Sequence, residues 1–391
     1  TKREITGIIN VKNNIANLNN LKLIKFIKNQ NKKTTSLVLL KTEGRILQKN
    51  NELIFNNFKV ETNNPTNVRI LNSMFKKSLL KKGNFECNIN LNGNSKLPKA
   101  TGKLILSDLD IPLYDTVINN IKFNLSDKVI DGEILAKNKN SDIKINLKAQ
   151  NKLILPVTVE KLEIESNNLN LKEILSSKNQ SAKMSDLIPA KQETLNTQDL
   201  VIKNGIINAK EISYEKINGQ NFKGNFSFDN NIFILKSAKI DIAEGNLEAY
   251  GKYNAKTSKI DLDAKMNNCE ANTLAGQFLN LNNQIFGKIK GSAKVSAKAI
   301  DTPDNIKDLK SEIDISVENG KMPKLGSLEH LLRAGNLIKN GLFGLSLNNI
   351  IQVLTPYKTG EFEKISGNIQ IKDAKIQNLE IYSKGDRKSV V

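Results

Sequence analysis

Residues 259–266 read Lys-Ile-Asp-Leu-Asp-Ala-Lys-Met, so apolar and polar side chains alternate one for one. Successive side chains of an extended chain point to opposite faces, and a period of two therefore predicts a β-strand with one apolar and one hydrated face. The same alternation occurs in residues 142–149 and 288–297 and recurs from Gly7 to Ile381. The sequence thus predicts a mainly β fold, with a long half-buried antiparallel sheet and a few short amphipathic helices.

About twenty strands are predicted, joined by connections that suit antiparallel neighbours. Among them are two pairs of separate strands, Leu153–Val159 with Leu162–Glu165 and Leu200–Ile207 with Glu211–Ile217. The pattern assigns neither helix nor strand to Ile15–Ile27, where apolar residues have mixed spacing. Apolar residues three or four apart predict helices over Val68–Lys81 and Asn272–Ile285 and a short helical turn at Leu171–Leu175.

Two stretches that lack the alternation divide the chain. Residues 177–198 are rich in Ser, Lys, Gln and Asn, which is typical of a linker, and residues 327–354 are apolar and end before Pro356. The predicted segments are an N-terminal β segment (1–64), antiparallel β-groove repeats (65–176), a flexible linker (177–198), a C-terminal β region (199–385) with a helical insert (327–354), and a non-native tail (386–391).

The charge of the chain is strongly positive, with 59 Lys and Arg against 40 Asp and Glu and a formal net charge of +19. These charges are spread along the polar sides of strands and are not grouped with stacking aromatic residues, so no nucleic-acid partner is predicted. The cysteines Cys87 and Cys269 lie far apart and form no metal-binding pattern, and each is predicted to be a small buried residue.

The sequence contains no convincing set of catalytic residues. His330 is the only histidine, so neither a histidine-based triad nor a histidine metal site is predicted. The carboxylate pairs Asp108 with Asp110 and Asp261 with Asp263 fit hydrated strand faces, and residues 287–292 lack the spacing of a phosphate-binding loop. We therefore predict a protein that is not an enzyme, with no catalytic residue, metal site or cofactor.

The C-terminal half of the chain resembles the C-terminal region of AsmA-like proteins of diderm bacterial envelopes. The resemblance is carried by three stretches, and residues 101–148 are similar to the strand repeats of TamB-type proteins. The three stretches are Met266–Leu274 (Met-Asn-Asn-Cys-Glu-Ala-Asn-Thr-Leu) leading to Phe286–Gly291, Val317–Leu328 (Val-Glu-Asn-Gly-Lys-Met-Pro-Lys-Leu-Gly-Ser-Leu), and Gly360–Ala374 (Gly-Glu-Phe-Glu-Lys-Ile-Ser-Gly-Asn-Ile-Gln-Ile-Lys-Asp-Ala).

The resemblance implies a long, bent sheet that forms a groove with an apolar lining. It further implies a periplasmic protein, anchored in the inner membrane by a segment outside this sequence, which moves phospholipids toward the outer membrane or supports outer-membrane assembly. The implied partners are phospholipid acyl chains, the inner membrane and an outer-membrane partner. The candidate lipid-lining residues are Ile143, Ile145, Leu147, Leu247, Ile260, Leu262, Ile289 and Val295.

Two other functions fit parts of the pattern. A structural or adhesive β-rich surface protein would have the same alternation, although a β-solenoid stalk requires a fixed repeat of roughly 20–30 residues. Binding to nucleic acid through charge alone would show a steep dependence on salt. The alternation does not determine which face of the sheet is open.

Overall fold

A computed structural model of the chain describes residues 2–28, 34–70, 82–111, 116–152, 155–176, 199–279, 282–283, 285–298, 308–322, 360–373 and 375–384. This part of the chain forms 20 β-strands and two α-helices, and the strands belong to one antiparallel sheet. The predicted fold class, mainly β with an antiparallel sheet and few short helices, is confirmed. The chain divides into two compact units, Thr1–Gly205 (unit 1) and Ile206–Val391 (unit 2).

Unit 1 is an antiparallel meander in which each long strand pairs with the next long strand along the chain. Its strands are β1 (Lys2–Lys12), β2 (Ile15–Lys28), β3 (Thr34–Lys49), β4 (Glu52–Glu61), β5 (Thr66–Asn67), β6 (Lys82–Asn94), β7 (Lys99–Ile111), β8 (Thr116–Leu125), β9 (Val129–Asn138), β10 (Ser141–Gln150) and β11 (Val157–Asn170), and helix α1 (Leu171–Ser176) follows them. The predicted segments 1–64 and 65–176 both lie in this unit.

Unit 2 repeats the meander, and each strand from β13 to β20 pairs antiparallel with the next. The boundary between the units falls within strand β12. The elements are β12 (Leu200–Tyr214), β13 (Ile217–Asp229), β14 (Ile232–Ile242), β15 (Gly245–Asn254), β16 (Lys259–Glu270), α2 (Ala271–Leu279), β17 (Phe286–Lys298), β18 (Lys310–Lys321), β19 (Glu361–Lys372) and β20 (Lys375–Lys384).

Asparagine closes several of the hairpins. The turns Asn13–Asn14, Asn50–Asn51 and Asn230–Asn231 each contain two residues with φ between 48° and 64°. Two successive positive φ values match the twist of the flanking strands, and asparagine adopts this conformation more readily than most residues. The abundance of asparagine between the strands therefore has a local structural use.

Bulges explain where the predicted strands differ from the structure. Ile15–Ile27 belongs to strand β2. The sequence pattern did not show this strand because a register shift between Leu18 and Leu21, with Asn20 at a φ of 50°, interrupts the period of two. Of the two strands predicted at Leu153–Val159 and Leu162–Glu165, the residues from Val157 onward form one strand, β11, with a register shift near Val159, and Leu155 and Pro156 precede that strand. The two predicted between Leu200 and Ile217 likewise contribute to one strand, β12, which ends at Tyr214.

Helix α2 packs on the sheet of unit 2 and forms its main core. Cys269, Ala271 and Leu274 are buried there with one residue from each of four strands, Ile242, Ile289, Val317 and Phe362, and with Met322, which directly follows β18. The helix is shorter than predicted because it ends at Leu279, and Ile285 is not helical. Asn283, with a φ of 60°, belongs to the connection that leads to β17.

The start of helix α2 depends on Glu270. Its carboxylate accepts hydrogen bonds from the backbone N–H of Asn272 (3.0 Å) and Thr273 (2.6 Å) and from Thr273 Oγ1 (2.8 Å). Burial raises the pKa of Glu270, but these hydrogen bonds and the nearby Lys288 cation outweigh burial and leave the pKa below its ordinary value. The ionised carboxylate thus caps the otherwise unpaired N–H groups of the first turn.

We expect Glu270→Gln to lower the free energy of unfolding by about 1 kcal/mol at pH 7. Because the folded-state pKa is lowered, the stabilisation is present above the ordinary carboxyl pKa and is lost as the pH falls through the lowered value. Denaturant titrations at several pH values should show the two proteins converging at acid pH. The exposed Glu312→Gln is the matched control, and an equal effect of both substitutions would contradict the capping role.

The core of unit 1 includes the segment that follows β5. Val68 is fully buried against Phe85, Cys87 and Leu109. Residues 68–70 form a short helical turn, while residues 71–81 of the predicted helix lie outside the described residues. The predicted turn at Leu171–Leu175 is confirmed as α1. The predicted linker (177–198), the helical insert (327–354) with His330, and the tail (386–391) also lie outside the described residues.

Candidate functional site

The apolar residues of unit 1 form rows that run across the strands. Residues directly opposite one another on antiparallel strands point to the same face, so the register shows which side chains meet. Three of these transverse rows cross five or more strands. They are Ile164–Ile145–Ile134–Ile121–Leu106–Phe85, then Leu162–Leu147–Gly132–Phe123–Leu104–Cys87, then Val159–Ala149–Ile130–Leu125–Gly102–Ile89–Val60.

Unit 2 has transverse rows of the same kind on strands β13 to β19. Together these residues form the apolar face of this unit. The rows are Phe228–Phe233–Tyr253–Ile260–Ala297, then Phe226–Leu235–Gly251–Leu262–Val295–Ser311–Ile371, then Gly224–Ala238–Ala249–Ala264–Ala293–Ile313–Ile369, and Ile240–Leu247–Met266–Gly291–Ile315–Gly367.

The eight candidate lining residues all lie on the apolar faces of their units. In unit 1, Ile143, Ile145 and Leu147 alternate along β10, and in unit 2 Leu262 is directly opposite Val295. Ile260 belongs to the neighbouring row of β16. Seven of the eight are partly exposed, the exception being Ile289.

Ile289 differs from the other candidates because it is buried in the core below helix α2, and Leu247 packs against the same core. Away from this helix the side chains of Leu262 and Val295 keep part of their surface exposed, and Ile315 is 39% exposed. Among the residues that the structure describes, helix α2 therefore covers only one end of the apolar face of unit 2.

Gly132 belongs to a transverse row of unit 1, which the sequence pattern did not show. A Cβ atom at Gly132 would lie 2.6 Å from the ring of Phe123 and 2.9 Å from Cγ of Leu147. The two large side chains thus close over the glycine from the neighbouring strands, and the middle row of unit 1 stays continuous. Only the register of β8, β9 and β10 reveals this arrangement, because a glycine has no side chain and so does not count as an apolar residue in the alternating pattern.

The opposite face of each unit carries ion pairs between neighbouring strands. Examples in unit 2 are Lys239–Glu248 (3.3 Å) and Lys290–Glu318 (2.8 Å), and one in unit 1 is Lys144–Glu165 (3.7 Å). Concavities of about 350 Å³ in unit 1 and 620 Å³ in unit 2 lie on these polar faces and are lined mainly by lysines, acids and asparagines. Such exposed pairs contribute little stability and keep this face hydrated.

The Asp261 carboxylate and the cysteine thiols, considered above for catalysis or metal binding, are held by hydrogen bonds, ion pairs or burial within the sheet. A hydrogen bond from Ser296 and the cations Lys259 and Lys252 hold the pKa of Asp261 below its ordinary value, although burial opposes them. Burial raises the pKa of the Cys87 and Cys269 thiols, which are free and buried as predicted. In the described part of the chain no group of three or more His, Cys, Asp or Glu residues could hold a metal ion.

Residues 287–292, rejected above as a phosphate-binding loop, lie within strand β17.

Comparison of the chain with protein-family models, curated proteins and solved structures gave no match. The resemblance to AsmA-like proteins therefore remains a prediction from the quoted stretches. No helix in the described ranges is both long and apolar enough to cross a bilayer.

Proposed function

We propose that this protein is a non-enzymatic phospholipid-binding protein of the bacterial cell envelope, and that its apolar sheet faces accept acyl chains. The observation that supports the proposal is the continuity of the transverse rows, which cross up to seven strands while most of their side chains are only partly buried. Large contiguous apolar surfaces of soluble proteins usually bind another apolar partner.

Acyl chains are a suitable partner because they require no directional contacts. Burial of apolar surface contributes about 0.8 kcal/mol for each CH₂ group, so a chain laid along a row of isoleucine, leucine and phenylalanine side chains binds without any reactive group. The charged headgroup can remain at the hydrated edge, close to the lysines of the opposite face.

The cellular part of the proposal rests on the AsmA resemblance. In this proposal the protein is periplasmic and is held at the inner membrane. It transfers phospholipids toward an outer-membrane partner or supports outer-membrane assembly. It uses neither a cofactor nor nucleic acid.

Photolabelling with a fatty acid that carries a diazirine near its methyl end tests the proposal without any mutation. After irradiation and digestion of the full chain, mass spectrometry should locate the label on the partly exposed row residues Ile145, Leu147, Leu262 and Val295. An excess of unlabelled phospholipid should suppress this labelling.

Two results would contradict acyl-chain binding. One is labelling spread equally over polar-face residues such as Lys144 and Asp263, and the other is labelling that unlabelled phospholipid does not reduce. A chain purified without any associated lipid that also fails to acquire label would favour the alternative, a structural or adhesive β-rich surface protein.

A further inference from the structure

The hairpin turns on one side of unit 1 lie next to one another. In an antiparallel meander every second connection falls at the same edge of the sheet, and the described residues of these five connections are 13–14, 50–51, 95–98, 126–128, and 151–152 with 155–156. We call these five turns, with the two residues on either side of each, the hairpin edge.

Direct contacts join the successive turns of the hairpin edge. The backbone N–H of Gln48 donates to the carbonyl of Asn14 (2.8 Å), and that of Ser95 donates to the carbonyl of Leu53 (2.6 Å). Lys96 pairs with Glu52 at 2.5 Å. The hairpin edge is therefore a connected surface and not a set of independent loops.

The buried Asn151 connects the remaining turns. Its side-chain amide donates to the carbonyls of Ala100 (2.5 Å) and Ser126, and its backbone N–H donates to the carbonyl of Lys128 (2.8 Å). Because the Asn151 side chain is buried, these bonds hold the three turns between β6 and β11 in one arrangement.

Large aliphatic side chains are exposed along the hairpin edge. Leu97 is 57% exposed at the tip of its turn and Val11 is 71% exposed beside the first turn. Leu53, Leu155 and Val157 are also exposed, so at least one such residue lies at four of the five turns. Turn positions are most often Gly, Pro, Asn, Asp or Ser, so these aliphatic side chains depart from the usual composition of turns.

Lysines accompany these aliphatic residues. Six exposed lysines belong to the hairpin edge, namely Lys12, Lys49, Lys96, Lys99, Lys128 and Lys152, whereas its acidic residues are Glu52, which pairs with Lys96, and Asp127. Residues 1–100 contain 19 Lys and Arg against 5 Asp and Glu, so they supply +14 of the net charge of +19. The most basic part of the chain thus contributes three of the five turns.

We infer that the hairpin edge docks unit 1 on the surface of an anionic phospholipid bilayer. Aliphatic tips can enter the boundary between headgroups and acyl chains, and lysines beside them attract anionic headgroups. The described residues of this edge include no stacking aromatic side chain, which makes a single-stranded nucleic acid a poor match. This docking uses strand ends, whereas the proposed acyl-chain binding uses strand faces, so neither inference rests on the other.

Flotation of the full chain with phosphatidylcholine vesicles, with and without phosphatidylglycerol, tests the inference. We expect binding to the anionic vesicles that weakens as salt is added. Replacement of Leu53, Leu97 and Leu155 by Ser should weaken this binding at least about tenfold, because apolar insertion is lost. Replacement of Lys49, Lys99 and Lys128 by Gln should weaken it roughly a hundredfold, given about 1 kcal/mol for each lysine near an anionic surface.

Matched variants elsewhere on the molecule separate docking from general loss of charge or apolar surface. Two control variants should bind like the native chain. One replaces the exposed Val117, Ile234 and Tyr250 by Ser. The other replaces the exposed Lys256, Lys265 and Lys294 by Gln. Circular dichroism and the unfolding midpoint establish that each variant is folded. Photolabelling of the apolar faces should persist in the edge variants, which distinguishes docking from acyl-chain binding.

Three results would overturn the inference. The first is equal binding to neutral and anionic vesicles, and the second is equal binding by the edge variants and their matched controls. The third is a native chain that self-associates without binding vesicles and loses this association in the edge variants. That last result would identify the hairpin edge as a contact between copies of the chain.

Discussion

Leu262→Glu is expected to weaken acyl-chain binding by unit 2 more than about a hundredfold. Leu262 lies at the middle of a row that extends from Phe226 to Ile371, directly opposite Gly251 and Val295. A carboxylate there would have to lose its water when an acyl chain covers the row, and an unpaired buried charge is far more costly than the contact that leucine provides. Fluorescence titration with a labelled fatty acid measures the change in affinity.

Ser292→Glu is the matched control because it adds the same carboxylate to the opposite face of the neighbouring strand, where Ser292 is exposed. This variant should bind the fatty acid like the native chain. Since Leu262 is partly exposed, both variants should keep the native circular dichroism spectrum. Equal affinity of the two folded variants would contradict binding on the apolar face of unit 2.

Gly102→Ala is expected to lower the free energy of unfolding of unit 1 by about 3 kcal/mol. Gly102 has a φ of 125°, a conformation that residues with a side chain rarely adopt. A Cβ atom there would also overlap the backbone carbonyl of Asn88 on β6, so strand β7 would have to move from its partner. Denaturant unfolding followed by circular dichroism measures the loss.

Gly367→Ala tests whether this effect comes from the backbone geometry. Its Cβ would lie 3.6 Å from the Glu380 carbonyl and 3.7 Å from Ile315, which are ordinary contacts. We expect this control to change stability by no more than about 0.5 kcal/mol. Comparable losses for the two substitutions would show that any side chain at a strand glycine is destabilising, independent of φ.

Local alternation predicted most of the fold because a period of two reports directly which residues share a strand face. It failed where a bulge shifts that period by one residue. Ile15–Ile27 could not be assigned for this reason, since the bulge around Asn20 places Leu18 and Leu21 on one face despite their odd separation. For helix α2 the apolar spacing continued to Ile285, yet the helix ends at Leu279 and Ile285 is not helical.

The candidate lining was predicted strand by strand, and the eight proposed residues do lie on apolar faces. Their surroundings were not predictable, because a period of two carries no information about register. The structure buries Ile289 below helix α2, leaves Leu262 partly exposed, and closes Phe123 and Leu147 over Gly132.

The order of residues by itself thus determined an antiparallel sheet with one apolar and one hydrated face, because side-chain direction in a strand is a local property. Only the tertiary structure decided which residues of neighbouring strands lie opposite one another, where a helix covers the apolar face, and which turns meet along the hairpin edge. These features depend on contacts between residues far apart in the chain, such as Asn151 with Ala100, and no local pattern specifies them.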